Sequence, residues 1–288
     1  MRNVAGSIVL AVAVAACAGT APAPEAVTAG EDAQQEAASY ARETAKEVYK
    51  ALRRGKLDTS QSLLGDEVFA VGPRAKDVYS ERTAAVLAAT AELDAGERHK
   101  LSSRGLVTGG SVTGKSAWMV DRIDIDRRRY SVVAVLAEID EIWYIVALHV
   151  GATGDGESTG AAMAPLGGGV SSAAADVVEL VRAGAASPDA LLEQLSGHPK
   201  VTVVGPGRSD HLRGARKITR KWKRKRGGAE PFALSGDVRA AVTPDGGLAW
   251  VVANTRAGDG AGLRTMFVYE RVDDGWHLVA LQRAVPLP

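Results

Sequence analysis

Trp143-Tyr144-Ile145-Val146-Ala147-Leu148 returns, 133 residues further on, as Trp276-His277-Leu278-Val279-Ala280-Leu281. Upstream the repetition continues. Ala117-Trp118-Met119-Val120 returns as Ala249-Trp250-Val251-Val252 at an offset of 132, and Val71-Gly72-Pro73 as Val204-Gly205-Pro206 at 133. Matches in one order at a nearly constant offset imply two copies of one domain. Each copy has roughly 110 to 130 residues, an ordinary single-domain size. The chain has one cysteine and no His/Cys cluster with metal-ligand spacing, so each copy must rest on its own apolar core, and no metal or cofactor is expected. A formal net charge of +1 with 46% hydrophobic residues describes a globular chain that is neither polyacid nor polybase.

Both copies carry the same order of elements. Helical spacing of apolar residues predicts a first helix over 33–54 and again over 173–183, a short second helix near 60–64 and 189–195, and a third over 81–93 and 215–225. Strands are expected over 101–108, 116–124, 130–138 and 143–150, then over 232–242, 248–255, 264–271 and 276–285. Asp273-Asp274-Gly275 is a good hairpin turn. Domains of 33–150 and 173–288 are thus joined by 151–172, whose seven glycines read as a flexible linker; such a coil spans roughly 25 Å. Strict alternation puts Trp143, Ile145, Ala147 and His149 on one face of the last strand and Tyr144, Val146 and Leu148 on the other. Both faces are apolar, so both need cover. Helices cover one, and the sister copy's sheet is expected to cover the other, an intramolecular pseudo-dimer in place of a homodimer. Two independent beads are the alternative.

The N-terminus reads as an export signal: Arg2, then an uncharged, mostly apolar run over 4–16 that is shorter than the roughly 20 residues a membrane span needs. Val14-Ala15-Ala16-Cys17 resembles a bacterial lipobox. That resemblance implies a signal peptide over 1–16, lipidation of Cys17 and a lipid anchor in the cell envelope. In a cell with two membranes, the lack of Asp at position 18 favours the outer one, facing the periplasm. Residues 17–32, rich in Ala, Pro and Thr, read as a disordered tether.

Three helices, then a curved sheet closing with Trp-x-φ-Val-x-x-His, resemble the SnoaL-like branch of the nuclear-transport-factor-2-like superfamily. The residues carrying the likeness are Val71-Gly72-Pro73, Ala117-Trp118 and the final hairpin from Arg264 to Gln282. The resemblance implies an α+β fold: two tandem cone-shaped barrels, each three helices packed on a curved antiparallel sheet around one deep pocket. The family spans isomerases, cyclases, dehydratases and binding modules, so fold does not fix function.

His149 stands where such relatives often carry a histidine, and Gln282 takes that place in the second copy. His149 reads either as a general base or as a strand-end histidine satisfying a carbonyl. Asp121 reads as a carboxylate with a raised pKa or as an edge charge beside Arg122. Asp77 and Asp210 are one position in both copies, suited to turn chemistry or to a pocket mouth. Trp118 and Trp250 recur as core residues or ligand platforms. Arg216, Lys217, Arg220, Lys221, Lys223, Arg224, Lys225 and Arg226 surround Trp222. They suit either a solvated helix or docking to an anionic lipid or cell-wall polymer. An exported protein is not expected to bind nucleic acid. The expected function is a membrane-anchored envelope lipoprotein that binds a small apolar ligand or an envelope partner without catalysis. The enzyme alternative is an isomerase, cyclase or dehydratase using His149 and Asp121. A scaffold whose pockets are filled by their own side chains is the third reading.

Overall fold

The computed structural model describes residues 25–56, 61–82, 98–153, 163–167, 169–207, 210–224, 232–257, 260–273 and 275–288. The signal over 1–16, Cys17, most of the helix expected over 81–93, and Lys225 and Arg226 lie outside the described residues.

Helix α1 (Glu25–Arg54) opens the first half. Ala37, Ala41, Ala45, Tyr49 and Leu52 are buried at helical spacing and form its inward stripe. Gly55, at φ 65, ends it. The helix begins inside the stretch 17–32 expected as a tether, and the strong helix formers Ala33 to Ala38 carry it forward. Strands β1 (Leu64–Val71), β2 (Val78–Tyr79), β3 (Leu101–Ser103), β4 (Val107–Gly110), β5 (Ser116–Ile125), β6 (Arg128–Ile139) and β7 (Ile142–Ala152) follow. Leu64, expected in a short helix, starts β1 instead. The first sheet is ordered β2-β1-β7-β6-β5-β3, with β4 also beside β5. A Cβ at Gly110 would lie 2.3 Å from the Gln34 carbonyl oxygen, so glycine there lets α1 pass close over the sheet.

The second half comprises β8 (Gly169–Val170), α2 (Ala175–Ala186), α3 (Pro188–Glu193), β9 (Thr202–Val204), β10 (His211–Arg213), α4 (Ala215–Arg224), β11 (Phe232–Val242), β12 (Leu248–Ala257), β13 (Gly262–Val272) and β14 (Gly275–Ala284). Its sheet is ordered β10-β9-β14-β13-β12-β11-β8. Strands at corresponding sequence positions therefore take corresponding places in the two sheets.

The sheets are not antiparallel throughout. β1 runs parallel to β7, β9 to β14 and β8 to β11. Nor do they close into barrels. The end strands β2, β3, β8 and β10 are only two or three residues long and pair on one side, so each sheet is open and curved.

A bulge decides which way the last strand faces. Val135 pairs with Ala147 but Leu136 with Ile145, leaving Val146 extra; Val268 pairs with Ala280 but Tyr269 with Leu278, leaving Val279 extra. One inserted residue reverses the alternation beyond it. Ile145, Leu148 and Val150 thus face α1, whereas Ala147 and His149 face away. Strict alternation placed His149 with Trp143; the bulge sends it to the opposite side.

Apolar residues form three clusters. One lies between α1 and the first sheet and one between the later helices and the second sheet. The third joins the backs of the two sheets, with Phe69, Trp118 and Val133 on one side and Trp250, Met266 and Val268 on the other. Phe69 and Trp250 stack at 5.5 Å between ring centroids. Part of the stretch 151–172 expected as flexible joins this core. Leu166 is 1% exposed within the third cluster, and the Ala164 N–H donates to the Ala75 carbonyl. An apolar side chain in a glycine-rich run supplies the reason: it buries.

Candidate functional site

The back-to-back sheets bury polar residues as well as apolar ones. His149 is fully buried on β7, and neither ring nitrogen has a hydrogen-bond partner. Burial, reinforced by the Arg264 charge, pushes its pKa down to about 3, so the imidazole is neutral at ordinary pH. Arg264 on β13 is 1% exposed. Its Nε donates to Asn254 Oδ1, and its terminal nitrogens donate to the carbonyls of Asp77, Ala75 and Ala164, each at 3.2 Å. Burial lowers its pKa to about 10, against the pull of Asp77, so it remains a cation. Gln282, the counterpart of His149, donates from Nε2 to the Ser131 carbonyl (2.9 Å) and hydroxyl (2.8 Å). Beside it, a Cβ at Gly151 would lie 2.2 Å from that of Ala284, so only glycine allows the strands this close.

Asp121 sits on the other face of the first sheet, toward α1. Tyr49 Oη donates to its Oδ2 at 3.0 Å, while the Gly105 and Arg122 N–H groups donate to Oδ1 at 3.2 and 2.7 Å. Burial raises its pKa, and hydrogen bonds from Ser103, Tyr49 and the two backbone groups oppose the rise. Burial, then the neighbouring carboxylate, holds the Tyr49 hydroxyl well above its ordinary range. His149 and Asp121 are therefore separated by the sheet itself and cannot serve one cavity as an acid/base pair. The bulge at Val146 is the physical reason.

Asp77 and Asp210 organise matching turns. The Gly72 N–H donates to the Asp77 carbonyl at 3.1 Å, and Gly205 N–H to that of Asp210 at 2.6 Å. The Asp77 carboxylate also accepts from the Arg74 N–H (2.9 Å) and the Tyr79 hydroxyl (3.2 Å). Trp118 and Trp250 both pack in the cluster between the sheets. On α4, Ile218 is buried and Trp222 half-buried, whereas Arg216, Lys217, Arg220, Lys223 and Arg224 are exposed. Lys221 reaches Asp210 at 3.3 Å.

Three buried charges escaped the sequence reading. Besides Arg264, Glu270 on β13 is 3% exposed and accepts from Gln34 Nε2 at 3.0 Å. Burial pushes its pKa up to about 7 against that bond. Asp245 accepts from Ser116 (2.8 Å), Ser111 (3.3 Å) and Thr113. Burial alone would raise its pKa, but bonds from Thr113, Thr243, Ser116 and the Gly247 N–H hold it low. A charge inside a long apolar strand is a sequence signal, and Arg264 and Glu270 both carried it.

Within the second half, one cavity of about 80 Å³ lies beside Val203, Asp210 and Trp222, and another of about 10 Å³ lies among Leu191, Phe232, Phe267 and Leu281. Small-molecule sites usually enclose roughly 300–1,000 Å³. Among the described residues, no group of three His, Cys, Asp or Glu side chains could hold a metal, and no helix is long and apolar enough to cross a membrane.

Comparison with known proteins agrees with the topology of the second half. No curated protein matches the chain. Among solved structures, an NTF2-like protein of unknown function from Pseudomonas putida has 13% identity and a TM-score of 0.37, covering 44% of this chain and 94% of that one. A cystatin-like fold protein from Burkholderia xenovorans has 17% identity and a TM-score of 0.35, covering 41% and 93%. Residues 174–288 match the family model for the SnoaL-like domain, so the second half is similar to that family.

Proposed function

We propose that the chain is a non-catalytic docking module of the cell envelope. In this reading two copies of one domain pair back to back, Cys17 carries a lipid anchor, and α4 presents its cations to anionic lipid headgroups. The observation that carries it is the division of α4: Ile218 and Trp222 turn inward and five cations turn out. Supporting it, the interior beneath that helix is filled by the second half's own side chains, leaving cavities too small for a substrate or an apolar ligand. Corresponding strand orders and the twin bulges support the duplication.

The test is sedimentation of the Cys17→Ser chain with vesicles. Vesicles rich in phosphatidylglycerol should retain it at low salt and release it as salt rises. Replacing Arg216, Arg220, Lys223 and Arg224 by Gln should weaken binding at least about tenfold, since each cation near such a surface contributes about 1 kcal/mol. Equal binding to neutral vesicles, or a flat salt response, would overturn the docking role. Preference for a cell-wall polymer over lipid would reassign its partner.

A further inference from the structure

The first half carries a charged concavity that the docking reading does not use. Around the β5–β6 hairpin lies a groove of about 760 Å³, lined by Arg74, Arg127, Arg128, Arg129, Asp124 and Thr153 among others. Its size falls within the usual range for small-molecule sites, roughly 300–1,000 Å³. Four guanidiniums face one carboxylate. Asp124 accepts from Arg104 Nη2 at 2.6 Å and from Arg129 Nε at 3.0 Å, which orients Arg129 from behind. Burial would raise the Asp124 pKa, but the two arginines hold it below the usual carboxylate range, so this brace stays charged.

Two further observations point to a ligand. The Thr153 hydroxyl oxygen is buried and has no hydrogen-bond partner, although the residue lines the groove. Buried polar groups are ordinarily satisfied. Secondly, the hairpin holds Asp126 at φ 54 and Arg127 at φ 111. Tight turns of this kind favour glycine or asparagine. The corresponding β12–β13 turn of the second half reads Ala257-Gly258-Asp259-Gly260-Ala261-Gly262, with Gly260 at φ 87 and no cation. One copy thus makes this turn with glycines, while the other keeps an arginine in a conformation that side chains resist. Strain of this sort is retained where the side chain has work to do.

We propose that this groove binds a small molecule bearing clustered phosphoryl charge. Guanidinium is planar, permanently charged and matched to two oxygens of one phosphoryl group. A net excess of three positive charges on the named residues calls for a multivalent anion rather than a lone carboxylate. The inference is independent of the docking role of α4.

The experiment is calorimetric titration of the full chain with inorganic pyrophosphate at constant ionic strength, with citrate as the carboxylate comparison. Saturable one-to-one binding is expected, tighter for pyrophosphate than for citrate. Arg127→Gly copies the sister turn, so it should raise the melting temperature while weakening pyrophosphate about tenfold or more, the loss of a charge-assisted bond. That opposed pair of effects distinguishes a binding residue from a structural one. The α4 glutamine variant should bind pyrophosphate as the parent does, and Arg127→Gly should keep vesicle binding. Three results would each sink the proposal: no saturable heat, citrate binding as well as pyrophosphate, or Arg127→Gly leaving the affinity unchanged.

Discussion

His149 and Gln282 hold equivalent places in the two sheets, 133 residues apart, and each is buried against the opposite half. The residues they face, Arg264 and Ser131, are also 133 apart, so one contact is made twice with different chemistry. In one version an amide donates to a hydroxyl and a carbonyl. In the other, an imidazole without hydrogen bonds lies in the field of a buried guanidinium that binds backbone carbonyls instead. The amide version is indifferent to pH. The imidazole version holds only while the ring is neutral. A duplicated surface can thus keep its shape while one side acquires a sensitivity the other lacks.

The comparison breaks most readily at Arg264. Arg264→Ala would strip donors from the carbonyls of Ala75, Asp77 and Ala164 and from Asn254. Losing a buried charged partner of this kind costs about 3–5 kcal/mol. Thermal denaturation should register it as a drop of roughly 10 °C. A loss below about 1 kcal/mol would mean that these bonds do not hold the halves together.

His149→Gln, which copies the sister residue, should act through pH. The folded-state pKa of about 3 lies below the ordinary 6.5, so the unfolded chain takes up the proton first. The stability tied to neutral His149 is therefore complete above about pH 6.5 and is lost as pH falls toward 3. By pH 4 the loss reaches about 3 kcal/mol at 1.36 kcal/mol per unit. Urea titrations should show the variant gaining on the parent below pH 6, with a constant offset above pH 7. A pH-independent difference would place His149 in contact with water.

Much of this architecture is written locally and some of it is not. The closing strands announce themselves because Trp143 to Leu148 and Trp276 to Leu281 are apolar, repeated and bounded by charged turns. The bulges at Val146 and Val279 leave no compositional mark, since an extra valine looks like any other strand valine. The face of His149 was illegible for that reason, and its acid/base pairing with Asp121 was misread with it. Parallel pairing of β1 with β7 joins segments distant in sequence, which alternation within one strand cannot reveal. The dense basic run from 216 stood out at once, whereas Arg127, Arg128 and Arg129 gain Arg74 and Thr153 as neighbours only through folding.

The smallest effect expected sharpens the comparison from the second half. Glu270 corresponds by the 133-residue offset to Ala137, so the carboxylate is an addition that one sheet carries and the other does without. Its folded-state pKa of about 7 lies above the ordinary 4.5, the reverse of His149. Here the folded chain holds the proton longer, so the stability tied to protonated Glu270 is complete below about pH 4.5 and is lost as pH rises through 7. Glu270→Gln keeps an oxygen acceptor for the Gln34 amide and removes the buried charge. It should leave stability unchanged at pH 4.5 and raise it by about 2 kcal/mol at pH 8, as urea midpoints at the two pH values would show. No gain at pH 8 would mean that water reaches the carboxylate. With both variants combined, the acid-side and alkaline-side losses should shrink together, because His149 and Glu270 titrate with opposite sign on strands of different sheets.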